Sequence, residues 1–215
     1  MKLKACLFDL DGVIVDTAKY HYIAWKELAA QLGFEFTEEN NERLKGVSRM
    51  TSLEILLEIG GVSLSNEQKA ELADQKNQRY VSYIEKMTPD EILPGVLEFL
   101  TDLKKAGIKT AIGSASKNAP LILERLKLGP YFDAIIDGNK VSKAKPDPEV
   151  FLKGAEALGI DPSECIVFED AAAGVEAALN GGMKCVGIGL AENLKNAHIV
   201  VPGFKNFGMA NLEQF

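Results

Sequence analysis

The sequence of 215 residues contains few cysteines and no excess of positive charge. Its three cysteines, Cys6, Cys165 and Cys185, lie far apart in or beside apolar runs, and their spacing is not that of a zinc site. We interpret them as small buried strand residues of a protein in a reducing compartment, and we expect a cytoplasmic location. The formal net charge of −7 disfavours general binding to nucleic acid or to an anionic membrane surface.

Long hydrophobic runs are also absent. No apolar stretch is long enough to span a bilayer, and the first strand-like run begins almost at Met1, without the pattern of a signal peptide. The hydrophobic content of 47% and the charged content of 26% are ordinary for a globular protein, which here could form one large domain or two smaller ones. We expect a monomer with no nucleic-acid partner and no membrane partner.

Short apolar runs alternate with longer segments of helical period over most of the chain. Amphipathic helical patterns separate the later strands, and this alternation is typical of a doubly wound, parallel α/β sheet. The predicted strands cover residues 3–8, 108–113, 133–137, 165–169, 184–189 and 198–201.

One segment breaks this alternation. From about Asp16 to about Pro94 the sequence shows only amphipathic helical stretches and no convincing strand. We therefore expect an all-α helical cap domain over residues 16–93, inserted into an α/β core domain made of residues 1–15 and 94–215.

Polar residues follow several of the predicted strands. Ligands of doubly wound sheets bind beyond the carboxyl ends of the strands, so these residues are the first candidates for a site. Acids follow the first and fourth strands, a serine follows the second, and a lysine stands in the loop before a helix. These candidates are Asp9, Asp11, Ser114, Lys145, Glu169 and Asp170.

Each candidate also has a simpler interpretation. Any one of the acids is more often a turn or cap residue than a ligand, and a serine and a lysine in surface loops are usually solvated. Together, however, the carboxylates of Asp9, Glu169 and Asp170, with the carbonyl of Asp11, form a hard oxygen site suited to Mg²⁺. Ser114, which stands with the following residues ASKN between a strand and a helix N-terminus, and Lys145 suit a phosphate or another oxyanion.

The stretch FDLDGVIVDT, residues 8–17, matches the DxDGxxxDT opening of the haloacid dehalogenase (HAD) superfamily of phosphotransferases. Ser114, Lys145 and the segment FEDAAAGVEAA, residues 168–178, match the three later motifs in order. The sequence is identified as a member of this superfamily, which implies a HAD-like core. The resemblance implies that Asp9 is a nucleophile forming an aspartyl-phosphate and that Asp11 is the general acid and base.

The resemblance also implies how charge is balanced in such a site. Mg²⁺ would be held by the side chains of Asp9, Glu169 and Asp170 and by the carbonyl of Asp11. Ser114 and Lys145 would steady the oxygens of the transferred phosphoryl group.

Three further stretches resemble the β-phosphoglucomutase family within this superfamily: residues 16–26, 44–57 and 114–118. This resemblance implies a glucose phosphate substrate, interconversion of β-glucose 1-phosphate and glucose 6-phosphate, and a bisphosphate intermediate. Arg49 would bind the second phosphate. The implied substrate-binding residues are Trp25, Lys45, Gly46, Val47, Ser48, Arg49, Ser52, Lys76, Ser114, Ala115, Ser116, Lys117 and Asn118.

Four residues of the helical segment have weaker assignments. By resemblance, Thr17 and Asp16 are the hinge and N-cap of the first cap helix, and His21 helps to hold Asp11. Without the resemblance, His21 would be a partly buried helix residue and Lys76 a solvated lysine.

Two other functions stay open at this point. A sugar-phosphate phosphatase of the same superfamily would use the same core residues, and only the cap stretches favour the mutase. A non-catalytic sugar-phosphate sensor would be expected to lack the nucleophile or a metal ligand, and Asp9, Asp11, Glu169 and Asp170 are all present.

Overall fold

The computed structural model describes residues 3–44, 47–213 and 215. The chain divides into two compact units. The first combines Met1–Asp16 with Thr88–Phe215, and the second is Thr17–Met87.

The first unit contains a six-stranded sheet in the order β3-β2-β1-β4-β5-β6, with every neighbouring pair parallel. All six predicted strands are confirmed, with end shifts of at most two residues. The strands are β1 Ala5–Phe8, β2 Lys109–Gly113, β3 Ala134–Ile136, β4 Cys165–Glu169, β5 Lys184–Ile188 and β6 Ile199–Val201.

Eight α-helices accompany these strands in the described residues. Helices are confirmed between the later strands, and the described part of the segment after Asp16 is helical as predicted. The helices are α1 Ala18–Gln31, α2 Glu38–Glu42, α3 Arg49–Gly60, α4 Asn66–Ile84, α5 Val96–Lys105, α6 Ala119–Arg125, α7 Glu149–Leu158 and α8 Ala172–Asn180.

The central strands of the sheet are buried on both faces because helices cover them. Ala5, Leu7 and Val167 point into one core, which α7 and α8 close. Phe8 and Phe168 are paired across β1 and β4, and their rings stack at a centroid distance of 4.8 Å. Continuous apolar runs such as CIVF are therefore required in these strands, as expected for a parallel sheet.

The second unit is helical. Its core is formed by α1, α3 and α4 around Trp25, Leu28, Leu53 and Leu56. The polar sequence of α4 begins after a capping box in which the Ser65 hydroxyl accepts the Gln68 N–H, so that its first turn is satisfied without apolar packing. None of the helices in the described residues has the length and apolar character needed to cross a membrane.

Candidate active site

The sheet order reverses between β1 and β4, and this is where the acidic residues lie. Asp9 directly follows β1, and its N–H donates to the carbonyl of Phe168 at 2.9 Å. Phe8 and Phe168 are in register, so the residues that follow them, Asp9 and Glu169, stand side by side at the carboxyl edge of the sheet. Ligands of doubly wound sheets bind at such a switch point.

Three carboxylates meet there. One oxygen each from Asp9, Glu169 and Asp170 lies within 4.8 Å of the other two. Glu169 is 1% exposed, and its Oε2 atom accepts no hydrogen bond from the described residues. A buried carboxylate oxygen of this kind needs a partner, and three hard oxygens are donors that a divalent cation prefers. The residues therefore fit a divalent metal ion; the Asp11 carbonyl as a fourth ligand stays a prediction.

Lys145 is the cation within this group of acids. Its Nζ lies 2.6 Å from Asp9 Oδ1 and 3.5 Å from Glu169 Oε1, and 5% of its side chain is exposed. Burial opposes the charge of the ammonium, but the carboxylates of Asp9 and Glu169 outweigh it and raise the pKa of Lys145. The lysine is therefore charged and immobilised beside the candidate nucleophile.

The pKa of Glu169 is shifted in the same cluster. Burial is the largest cause and raises it well above its ordinary value, Lys145 opposes the rise, and Asp9 adds to it by repulsion. Three carboxylates thus stand beside one ammonium, and a bound cation would stabilise the ionised form of Glu169.

Ser114 follows β2 at the same edge of the sheet. It is 1% exposed, its N–H donates to Ile136 O at 2.9 Å, and its Oγ accepts the N–H of Ser116 at 3.1 Å. The Ser116 hydroxyl accepts the N–H of Asn118 at 3.2 Å, and Asn118 is the N-cap residue directly before α6. Ala115 and Lys117 are exposed in the same loop. The five predicted residues 114–118 thus form one turn.

The loop after β3 supports this turn and was missed by the sequence analysis. Gly138 N–H donates to Ser116 O at 3.3 Å, and Asn139 Nδ2 donates to Lys117 O at 3.2 Å. A Cβ on Gly138 would overlap the carbonyl oxygen of Ala115, so only glycine allows this close approach.

Two other glycines were also missed, although they stand inside the quoted motifs. A Cβ on Gly12 would overlap the Asp170 carboxylate, and Gly12 also has a positive φ of 78°. A Cβ on Gly174, in the first turn of α8, would overlap the carboxylate of Glu169. A glycine in a helix is unfavourable unless it has a packing reason, and this signal could have identified Gly174.

His21 and Lys76 meet in the second unit, 55 residues apart in sequence. Lys76 is 2% exposed, its Nζ lies 2.7 Å from His21 Nδ1 and 4.5 Å from the centre of the Trp25 ring. The imidazole stacks on Tyr80 at 3.9 Å. The prediction of Lys76 as a solvated lysine in the absence of the resemblance is wrong, because aromatic faces and an imidazole nitrogen receive its ammonium.

The same contacts determine the protonation state and the tautomer of His21. Burial lowers its pKa well below the ordinary value, and the charges of Lys76 and Arg49 lower it further. Because an ammonium can only donate, His21 Nδ1 accepts from Lys76, and the ring proton of the neutral histidine lies on Nε2.

The remaining predicted substrate residues lie at the start of α3. The Ser48 hydroxyl caps the helix by accepting the Thr51 N–H at 3.2 Å, and Ser52 is buried. Val47 is 38% exposed, and Arg49 lies 3.9 Å from Asp74. Lys45 and Gly46 fall outside the described residues.

The start of α1 corrects one expectation. Thr17, which is buried, is the residue that precedes the helix, so Asp16 stands one position too early to be its N-cap. Thr17 itself makes no capping hydrogen bond through its side chain with the described residues. Asp11 is partly buried and pairs with Val15 in an isolated bridge. Its role as general acid and base stays a prediction.

This fold and this group of side chains define a class of protein. The sequence matches the family model of haloacid dehalogenase-like hydrolases over residues 3–182, and the chain belongs to this family.

Similarity to individual proteins is more specific. The chain is 45% identical to β-phosphoglucomutase of Bacillus subtilis over 93% of its own length and 89% of that protein. The crystal structure of β-phosphoglucomutase from Clostridium difficile matches with a TM-score of 0.93 and 44% identity, covering 99% of this chain and 96% of that one. A phosphorylated carbohydrates phosphatase of Thermotoga maritima is 34% identical to this chain, and the match covers 85% of this chain and 83% of the phosphatase.

Proposed function

We propose that this protein acts as a β-phosphoglucomutase, interconverting β-D-glucose 1-phosphate and D-glucose 6-phosphate. The observation that carries the proposal is its 45% identity to the mutase of B. subtilis over nearly the whole chain. The contact between Lys145 and Asp9 at the switch point of the sheet supports it, because it places a cation beside the candidate nucleophile.

In the proposed reaction, Asp9 attacks phosphorus and forms an aspartyl-phosphate while the bond to the sugar oxygen breaks. Asp11 gives its proton to that oxygen and later takes a proton from the attacking sugar hydroxyl. The C6 hydroxyl of β-glucose 1-phosphate attacks the aspartyl-phosphate, which frees Asp9 and forms β-glucose 1,6-bisphosphate within the site. After the bisphosphate turns, Asp9 attacks the phosphorus on its C1 oxygen, so that glucose 6-phosphate leaves and the aspartyl-phosphate is restored. Lys145 and the hydroxyl of Ser114 bind oxygens of the phosphoryl group.

The proposed metal ion is Mg²⁺. Asp9, Glu169 and Asp170 would hold it, and carboxylate oxygens are the ligands that Mg²⁺ prefers. When bound, Mg²⁺ offsets negative charge on the phosphoryl group. The carboxylate cluster and the buried Glu169 oxygen support this choice.

The second unit supplies the proposed sugar specificity. We propose that residues 16–93 form the cap domain, that Arg49 binds the second phosphate, and that His21 helps to hold Asp11. Burial lowers the pKa of Arg49 and Asp74 raises it, and a guanidinium remains charged in either case. A role for Lys45, Gly46, Val47 and Ser52 in substrate binding, a monomeric state and a cytoplasmic location stay predictions.

A sugar-phosphate phosphatase is the second candidate, favoured by the similarity to the T. maritima phosphatase. It would use Asp9, Asp11 and Lys145 in the same way, with water in place of the sugar hydroxyl.

The test is a coupled assay for glucose 6-phosphate starting from β-glucose 1-phosphate. Four reactions contain or omit Mg²⁺ and β-glucose 1,6-bisphosphate. The proposal predicts product only when Mg²⁺ is present and a shorter lag when the bisphosphate is added. Product formation that does not depend on Mg²⁺ would contradict the metal assignment, and no product in any reaction would contradict the mutase.

A further inference from the structure

The loop that presents Lys145 is closed by one carboxylate. Glu149 Oε2 accepts the N–H of Ser142 at 2.9 Å, the hydroxyl of Ser142 at 2.9 Å and the N–H of Lys143 at 2.7 Å. Ser142 and Lys143 come before Lys145 in the chain, and Glu149 comes after it. A single oxygen atom therefore ties the two ends of the loop together.

Glu149 is itself fixed from the other side. Lys153, one turn further along α7, places Nζ 2.6 Å from Glu149 Oε1, and Asp147 Oδ1 accepts the Glu149 N–H at 3.0 Å. The pKa of Glu149 is lowered to about 2, and the hydrogen bond from Lys153 is the main cause. The N–H groups of Lys143 and Ser142 lower this pKa further, whereas partial desolvation of the carboxylate raises it. Glu149 is thus ionised at neutral pH, which strengthens its hydrogen bonds.

A second side chain holds the loop beyond Lys145. Asn180, the last residue of α8, donates from Nδ2 to the carbonyl of Pro146 at 3.2 Å. The loop is therefore attached to α7 before Lys145 and to α8 after it. Between these attachments the ammonium lies 4.8 Å from the centre of the Phe151 ring and 2.6 Å from Asp9.

We propose that Glu149 and Asn180 are positioning residues for phosphoryl transfer, which act by fixing the loop that presents the Lys145 ammonium to Asp9. The inference rests on the proposed function, because it takes Lys145 to bind the transferred phosphoryl group. Neither residue is placed in contact with the substrate. A small displacement of a catalytic group is enough to slow a reaction strongly, so a loop of this kind requires supports on both sides.

A purely structural role would have the same contacts but a different consequence. An acid in the first turn of a helix stabilises that helix through the macrodipole, and Glu149 is the first residue of α7. If this were its whole contribution, its removal would lower stability and affect activity whether or not Lys145 is present. If Glu149 acts through Lys145, its removal should matter only while Lys145 is present.

The experiment is a double-mutant cycle on the rate of aspartyl-phosphate formation, measured by rapid quench in a single turnover with β-glucose 1,6-bisphosphate and Mg²⁺. Glu149→Ala and Asn180→Ala are each made alone and together with Lys145→Ala. We expect Glu149→Ala to slow the step about tenfold and Asn180→Ala about threefold, and each to slow it less than about twofold in the Lys145→Ala background. Thermal melts are used to check that each variant is folded.

Two variants serve as controls. Lys105→Ala removes a solvent-exposed ion pair with Asp102 within α5 and should slow the step less than about twofold. Glu149→Gln keeps an oxygen that accepts these N–H groups, and should recover most of the lost rate.

The possible outcomes separate the two proposals. Equal slowing by Glu149→Ala with and without Lys145 would overturn the positioning role, and so would a wild-type rate for Glu149→Ala. If Glu149→Ala does not fold, the Asn180→Ala half of the cycle decides in the same way. A wild-type enzyme that forms no aspartyl-phosphate would overturn the proposed function, and the inference with it.

Discussion

Lys145 Nζ and Asp9 Oδ1 lie 2.6 Å apart although 136 positions separate the two residues in the chain. Only 5% of the lysine side chain and 10% of the aspartate side chain are exposed. An ammonium fixed at this distance lowers the repulsion between the Asp9 carboxylate and an approaching phosphate. It also remains in place to bind the phosphoryl oxygens when charge develops on them.

Replacement of Lys145 should therefore slow phosphoryl transfer more than it weakens substrate binding. We expect Lys145→Ala to lower kcat by about 10²- to 10³-fold, the range found when one preorganised donor is removed from a site. Steady-state kinetics with and without excess Mg²⁺ checks this. Lys105→Ala, which removes an exposed lysine of α5 that pairs with Asp102, is the matched control and should keep kcat. A fully active Lys145→Ala enzyme would show that the contact has no catalytic role.

Gly174→Ala should weaken metal binding without unfolding the protein. The added Cβ would displace the Glu169 carboxylate, and changes around metal ligands typically lower affinity by about 10- to 100-fold. Alanine is also the better helix former by about 1 kcal/mol, so the melting temperature should not fall strongly. Calorimetric titration with Mg²⁺ measures the effect.

Gly129→Ala is the control for Gly174→Ala, because a Cβ on Gly129 meets no described atom within 4 Å, and its Mg²⁺ affinity should be that of the wild type. Unchanged Mg²⁺ affinity in Gly174→Ala would show that Glu169 can relax or that it is not a ligand.

Gly138→Ala should disturb the turn at residues 114–118. The added Cβ meets the carbonyl oxygen of Ala115, which belongs to the backbone and can move only with the turn. A misplacement of about 1 Å can lower activity by about 10²-fold, and we expect a loss of that order in kcat/KM. Gly208→Ala, where no described atom lies within 4 Å of the new Cβ, should be unaffected. Equal kcat/KM for the two variants would contradict a binding role of the turn.

His21 should make stability depend on pH. Its pKa is lowered on folding, so the unfolded chain binds more protons than the folded one as pH falls through the ordinary histidine range. The free energy of unfolding is then retained above that range and decreases below it.

Melting temperatures between pH 8 and pH 5 measure this dependence. We expect His21→Gln to flatten the curve more than His198→Gln, because the pKa of His198 is lowered less strongly, by burial and by Lys184. Identical slopes for the wild type and His21→Gln would contradict the burial of a neutral His21.

Much of the fold could be predicted from the sequence because strand and helix periods are local. The run from Cys165 to Phe168 is short and apolar, which is typical of a buried strand, and the topology then brings Asp9 and Glu169 to one edge. The contact between Lys76 and His21 could not be predicted in the same way, since it depends on how α1 and α4 pack.

The supports of the site were missed for a similar reason. Glu149 follows the motif lysine by four positions and has the sequence of an ordinary helix start. Its hydrogen bonds to the other end of the Lys145 loop depend on the position of Ser142 in the folded chain, which the local sequence does not give. The close approach of Gly138 to the 114–118 turn depends likewise on the neighbouring strands β2 and β3.

The most direct measurement is the partition of the aspartyl-phosphate between sugar and water. The enzyme is supplied with β-glucose 1-phosphate, β-glucose 1,6-bisphosphate and Mg²⁺, and glucose 6-phosphate and inorganic phosphate are measured in the same reaction, with Asp9→Asn as the inactive reference. We predict that glucose 6-phosphate accumulates in large excess over phosphate and that Asp9→Asn forms neither. Release of phosphate without glucose 6-phosphate would contradict the mutase, and turnover by Asp9→Asn would contradict the covalent mechanism.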